Sequence, residues 1–145
     1  MAIIKLAEEQ QKALNEMLLG HNIFLTGEAG TGKSTIVQEF KRLTSKNCVF
    51  LAPTGIAAVN IGGSTIHSFL RLTPGLQSED SIEPVASKKQ RELIRSVDVV
   101  VIDEISMVRA DLFWAIDFRL RQVMHGADRR RPFGGKQVIL VGDFY

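Results

Sequence analysis

Residues 23–35 read Ile-Phe-Leu-Thr-Gly-Glu-Ala-Gly-Thr-Gly-Lys-Ser-Thr, a short apolar run that breaks into a glycine-rich loop. Gly27, four intervening residues and then Gly32-Lys33-Ser34 have the Walker A spacing. The chemistry demands these residue types. A loop that wraps a triphosphate turns its backbone N–H groups inward, and Gly27, Gly30 and Gly32 permit the dihedrals and the close approach. Glu28, Ala29, Thr31 and Thr35 complete the cradle. Lys33 brings a point charge to the β- and γ-phosphates, and Ser34 a hydroxyl to Mg²⁺. From about Gly32 the chain is expected to turn helical, which adds the positive end of a helix dipole. Strand, loop and helix in this order point to a site for a nucleoside triphosphate and Mg²⁺.

Composition bounds the rest. At 145 residues the chain suffices for one globular domain with its own core. No apolar run reaches the roughly 18 to 20 residues that span a bilayer. The start, Met-Ala-Ile-Ile-Lys, runs into an acidic amphipathic pattern and is not a secretory signal. One cysteine, Cys48, excludes an internal disulfide, fits a reducing compartment and is expected to be buried in a strand. The net charge is only +2, so any polyanion site must be local.

Outward from the loop, strand and helix alternate. Residues 6–19 have helical spacing, with Leu6, Leu14, Met17 and Leu18 on one face. The run 23–26 is the first strand, and the helix after the loop extends to about Leu43. A second strand covers 48–52 and a short helix follows from Gly55 to about Ile61. Residues 71–87, with Pro74, Gly75 and Pro84, read as a long surface loop. A basic helix spans 88–96, and 97–102 is a nearly continuous apolar strand. Leu112, Ile116, Leu120 and Val123 form the inward stripe of the next helix, before a fourth strand at 137–141. Near-continuous apolar strands separated by helices predict a parallel sheet covered on both faces.

The third strand ends in Asp103-Glu104, a Walker B arrangement. Asp103 is placed to hold the Mg²⁺ that Ser34 coordinates, and Glu104 to polarise a water at the γ-phosphate. Taken alone, two acids at a strand end also serve as a cap for the next helix. After the second strand, Thr54 is a natural N-cap with Gly55 behind it, which opens a helix N-terminus to a backbone phosphate. Thr65, His67 and Phe69 then cluster within five residues. They suit a sugar-phosphate grip with a stacked base, or a turn whose Phe69 is core. Residues 129–136, Arg-Arg-Arg-Pro-Phe-Gly-Gly-Lys, fit a solvated basic loop and a strand contact equally well.

The succession Thr-Gly-x-Ala-Gly-Thr-Gly-Lys-Ser, Ala-Pro-Thr-Gly-x-Ala-Ala, Thr-Ile-His-Ser-Phe, Ile-Asp-Glu-Ile-Ser-Met, Pro-Phe-Gly-Gly and Val-Gly-Asp-Phe resembles the superfamily 1B DNA helicases. More narrowly it resembles the petite integration frequency (PIF) family, with RecD-like helicases as more distant relatives. The resemblance implies a RecA-like P-loop fold and an ATP-dependent enzyme that moves 5′ to 3′ on single-stranded DNA. It also implies the unwinding of duplexes and G-quadruplexes, in repair, recombination and, in eukaryotes, telomere maintenance. Such a protein is expected in the cytoplasm of a bacterium, or in a nucleus or mitochondrion, and not in a membrane.

By position, the family's adenine-reading glutamine falls on Gln10, which also sits on the otherwise apolar stripe where an idle amide is costly. Ala7 stands where the family usually has Ser, which weakens a helix cap. Thr54, Thr65 and His67 match positions that contact DNA, and Asp143 matches the acidic residue that links ATP state to DNA. Relatives continue past Gly-Asp-Phe-Tyr into Gln-Leu-Pro-Pro and a second motor domain. Residues 1–145 are therefore expected to be most of a single RecA-like domain, the first of two, truncated at the third helicase motif. A small-molecule kinase and a nucleotide-binding module without turnover share the Walker A loop. The lack of an Arg-rich lid and the presence of Glu104 count against the kinase.

Overall fold

The computed structural model describes residues 7–26 and 32–142. Five strands form one parallel sheet: β1 (Ile23–Thr26), β2 (Cys48–Ala52), β3 (Ser64–Thr65), β4 (Val99–Ile102) and β5 (Gln137–Gly142). Their spatial order is β1-β5-β4-β2-β3. The helices are α1 (Glu8–Leu18), α2 (Lys33–Leu43), α3 (Gly55–Asn60), α4 (Ile66–Leu70), α5 (Lys88–Ser96) and α6 (Ala110–Gln122). The fold is the expected α/β, with helices on both faces.

Alternation along the strands builds two cores. Val99 and Val101 face Leu14 and Met17 of α1 and Ile36, Val37 and Phe40 of α2. Val100 and Ile102 face the opposite way, toward Ile66 and Leu70 of α4, Ile94 of α5 and Leu112, Ile116 and Leu120 of α6. Handedness explains the division. A right-handed crossover from β1 to β2 puts α2 on one face, whereas the returns to β4 and β5 run the other way across the sheet and put α4–α6 on the other.

Several sequence expectations change. Strand β3 is an addition: its two residues pair with Leu51 and Ala52, too short a run to show a pattern. Strand β4 begins at Val99, because Val97 ends α5 and Asp98 with Val99 donates to the Asn47 carbonyl. Leu18 is 37% exposed and off the inward stripe, while Ala13 packs beside Leu14 in its place. Cys48 is half-buried rather than enclosed.

The segment 71–87 is not simply a surface loop. Leu72, Gln77, Ile82 and Val85 are buried in it. Arg119 of α6 holds it from below, donating to Leu70 O at 2.8 Å, Arg71 O at 3.0 Å and Glu83 O at 2.6 Å, and also to Gln122 Oε1. Burial pushes the Arg119 pKa below its ordinary value, and a guanidinium nonetheless stays charged. From the other end, Asp111 accepts the Gln77 N–H at 2.8 Å and pairs with Arg109. These two donors hold the Asp111 carboxyl below the usual carboxylate range.

Residues 129–136 are a solvated loop at their start, with Arg129, Arg130 and Arg131 exposed, and are anchored at their end. Gly134 and Lys136 are buried, and Lys136 Nζ donates to Arg95 O at 2.8 Å and Val97 O at 2.6 Å. Arg119→Met is expected to lower unfolding free energy by about 3 kcal/mol, since it strands several buried carbonyls at once. Urea denaturation checks this, and a loss below about 1 kcal/mol would contradict the clamp.

Candidate functional site

In a parallel sheet all carboxyl ends share one edge, and ligands of such folds bind there. Along that edge the ends of β1, β5, β4, β2 and β3 follow in order. Gly27, Glu28, Ala29, Gly30 and Thr31 lie outside the described residues, as do Leu6 and Asp143. Gly32 precedes α2 with φ +87°, a left-handed conformation that favours glycine. Lys33 and Ser34 then open the helix, with Thr35 half-buried behind them.

Asp103 leaves β4 with its N–H still donating to Leu51 O at 2.8 Å, so the ladder to β2 fixes its backbone. Its Oδ1 accepts the Glu104 N–H at 2.9 Å. The carboxylate thus braces its own turn and caps no later helix. Glu104 has φ +51°, a strained setting for a residue with a side chain, and a single 3₁₀ turn, Ile105–Met107, follows it. Lys33, Ser34 and Asp103 line one cavity of about 90 Å³, together with Asn60 and Ile61 at the end of α3.

A second hollow, about 380 Å³, lies beside it and is lined by Glu9, Gln10, Phe24, Thr26 and Lys33. Lys33 belongs to both. Gln10 Oε1 accepts the Ala7 N–H at 2.9 Å, the half of a capping box that needs no hydroxyl at position 7. Its Nε2 lies against Gly32, where any Cβ would collide with it. The structure therefore brings Gln10, Gly32, Lys33, Ser34 and Asp103 together. A larger hollow of about 630 Å³, between segment 71–87 and α6, shares none of these residues.

Thr54 and Thr65 stand on adjacent strand ends, since Ala52 pairs with Thr65. Both are helix caps. Thr54 Oγ1 accepts from Ala57 N at 3.3 Å, and Thr65 Oγ1 from Ser68 N at 3.2 Å. Gly55 is exposed, His67 is half-buried on α4, and Phe69 packs against the α4–α6 core. The basic run lies elsewhere: Arg129, Arg130 and Arg131 precede β5 and so sit at the opposite edge of the sheet. Among the described residues no three His, Cys, Asp or Glu side chains cluster for a metal. A Mg²⁺ held by one hydroxyl, one carboxylate and phosphate oxygens requires no such cluster.

Sequence reasoning missed Asn60, Phe24 and Thr26 as lining residues, because nothing in their local pattern distinguishes them. It also passed over Gly142, although a glycine at a strand end is itself a sign of close backbone approach.

Comparison with known proteins now bears on this geometry. The family model of the PIF1-like helicases matches residues 5–145. The chain belongs to the PIF1-like helicase family. It is 38% identical to the ATP-dependent DNA helicase PIF1 of Saccharomyces cerevisiae over 98% of this chain and 17% of that protein. It is 42% identical to the Pif1 helicase of Bdellovibrio bacteriovorus, over 97% of this chain and 32% of that protein. A Bacteroides Pif1 helicase solved with ADP-AlF3 and single-stranded DNA superposes with a TM-score of 0.87 at 41% identity, over 97% of this chain and 33% of the other. The chain thus spans a third or less of the length of these relatives. The PIF resemblance and the RecA-like fold are both borne out. No helix among the described residues is long and apolar enough to cross a membrane.

Gly32→Ala is expected to cost about 1–2 kcal/mol for the left-handed backbone alone, and more for the collision with Gln10. In thermal melts, Gln10→Ala should recover the second part only. Full additivity of the two substitutions would disprove the contact.

Proposed function

We propose that residues 1–145 act as the first motor domain of an ATP-dependent DNA helicase that moves 5′ to 3′ on single-stranded DNA. The observation that carries this reading is the meeting of Lys33, Ser34 and Asp103 around one cavity at the carboxyl edge of the sheet. The residues fit Mg-ATP. Lys33 sets a positive charge where the β- and γ-phosphates lie, and the hollow beside it brings the Gln10 amide to the adenine. Gly27, Glu28, Ala29, Gly30, Thr31, Gly32 and Thr35 provide the backbone cradle. Ser34 and Asp103 would hold Mg²⁺, which when bound offsets charge on the phosphate oxygens. Glu104 orients the attacking water and accepts its proton. The Bacteroides relative, solved with ADP-AlF3 and single-stranded DNA, supports both ligands.

Thr54, Gly55, Thr65 and His67 form the DNA side of the same edge, the first pair one strand from Asp103 and the second pair two strands away. Asp143, directly after β5, couples the halves. Forked duplexes and G-quadruplex junctions are the substrates this reading assigns, in genome maintenance. The protein would work wherever its DNA is: in the cytoplasm of a bacterium, or in a nucleus or mitochondrion.

Lys33→Ala should abolish Mg-ATP binding by calorimetry with little change in stability. Glu104→Gln should keep that binding and slow turnover in the complete gene product by roughly 10² to 10⁴-fold. Equal ATP affinity in the Lys33 variant would end the Walker A reading, and an undiminished rate in the Glu104 variant would end its role as base.

The caps shape the DNA test. Thr65→Ala would remove a helix cap worth about 1 kcal/mol. Thr65→Asp keeps the cap acceptor but faces a phosphate with negative charge. Single-strand affinity, by fluorescence anisotropy, should fall about tenfold or more while ATP affinity and melting temperature hold. Unchanged DNA binding would return Thr65 to a structural role.

A further inference from the structure

The end of β5 meets the turn that follows β4. Gly142 closes β5, which runs between β1 and β4, with Thr26 beside it on the β1 side. On the other side the turn after Glu104 crosses over it. A Cβ placed on Gly142 would lie 2.6 Å from Ile105 Cγ2 and 3.3 Å from Ile105 N. The first distance is below any real contact. The second is tight and allows a small adjustment. Ile105 N belongs to the peptide that leaves Glu104, so the turn can settle on β5 only because position 142 has no side chain.

Glu104 itself is held at φ +51°. A residue with a side chain keeps such a conformation only when its surroundings over-determine it. On one side the constraint is the bond from Glu104 N–H to Asp103 Oδ1 at 2.9 Å. On the other side it is the seat of Ile105 on Gly142. We infer that Gly142 is a positioning residue for the Glu104 carboxylate, acting through the Ile105 backbone and touching neither nucleotide nor metal. This inference rests on the proposed role of Glu104. A methyl group at 142 lifts Ile105, releases the left-handed turn and swings the carboxylate from the water it orients. Lys33, Ser34 and Asp103 stay in place, so nucleotide binding persists.

The test uses the complete gene product. Gly142→Ala should leave the Mg-ATP dissociation constant within about twofold and slow single-turnover hydrolysis by roughly 10- to 100-fold. Ile105→Ala removes Cγ2, the atom in severe conflict, so the Gly142→Ala/Ile105→Ala pair should return to within about threefold of the Ile105→Ala rate. Ile105→Val keeps a Cγ2 and should not rescue.

Recovery by Ala but not Val, with unchanged ATP affinity, establishes the seat. A Gly142→Ala protein at the wild-type rate overturns it, and so does a slow one that Ile105→Ala fails to restore. If Gly142→Ala alone does not fold, the double variant decides: a folded, active pair supports the seat, and an unfolded or inactive pair overturns it. Glu104→Gln runs in parallel. Full turnover in that variant would remove the catalytic reading of Glu104, whatever position 142 shows.

Discussion

Strand β5 is the piece on which the site's geometry depends. Among the described residues β1 pairs with β5 alone, and β5 pairs with β4 through Val99↔Gln137 to Ile102↔Leu140. The relation between the end of β1 and Asp103 is therefore set by two hydrogen-bond ladders that share one strand. The same strand fixes α1. Gln137 Nε2 donates to Met17 O and His21 O, each at 2.9 Å, and Asn22 Oδ1 accepts the Val138 N–H at 2.8 Å. Gln10 is carried on α1, so both sides of the hollow that Gln10 and Lys33 line are tied to β5. A polar residue at the strand's start and a glycine at its end do different tasks: one anchors a helix, the other admits a turn.

Much of this could be read from residue type and spacing. The loop at 27–35 demands a strand before it and a helix after it, and the runs Cys-Val-Phe-Leu-Ala and Val-Val-Val-Ile are too apolar to face water on either side. What escaped reading depends on contacts between distant residues. Segment 71–87 has the composition of a loop, yet Leu72, Ile82 and Val85 are buried because Arg119 and Asp111, more than twenty residues later, hold its backbone. A backbone that is satisfied from outside needs no periodicity of its own, so none appears. Strand β3 escaped for a related reason: two residues pair because β2 lies beside them.

The candidate site divides in the same way. Lys33, Ser34 and Asp103 were legible because the proposed chemistry needs those groups at the ends of neighbouring elements, and the three line one cavity. Thr54 and Thr65 were legible only by halves. Each hydroxyl accepts an N–H of its own helix, and a hydroxyl that accepts still has a proton to donate. Cap and phosphate ligand are compatible in one residue, so finding the cap does not decide against the second role. The left-handed Glu104 was not legible at all. No sequence rule places a glutamate at φ +51°, and this departure from local preference falls beside the proposed chemistry, where strain tends to be retained.

Charge completes the argument, because the two edges of the sheet are chemically unlike. Arg129, Arg130 and Arg131 lie before β5, while Thr54 and Gly55 follow β2 and Thr65 ends β3 at the other edge. The basic run thus cannot reach a strand lying across those hydroxyls without leaving the site. On the proposed reading, DNA at the carboxyl edge is gripped by hydroxyls, backbone N–H groups and an imidazole rather than by a row of guanidinium groups. Grips of this kind release few counterions, so affinity responds to salt far less steeply than in a protein that neutralises many phosphates. They also read no base, and they let go without separating full charges in a low-dielectric contact. On the same proposed reading, a motor that must release and regrip its track at every step is better served by weak contacts of uniform strength than by a few strong ones. A chain with a net charge of only +2 is consistent with that choice.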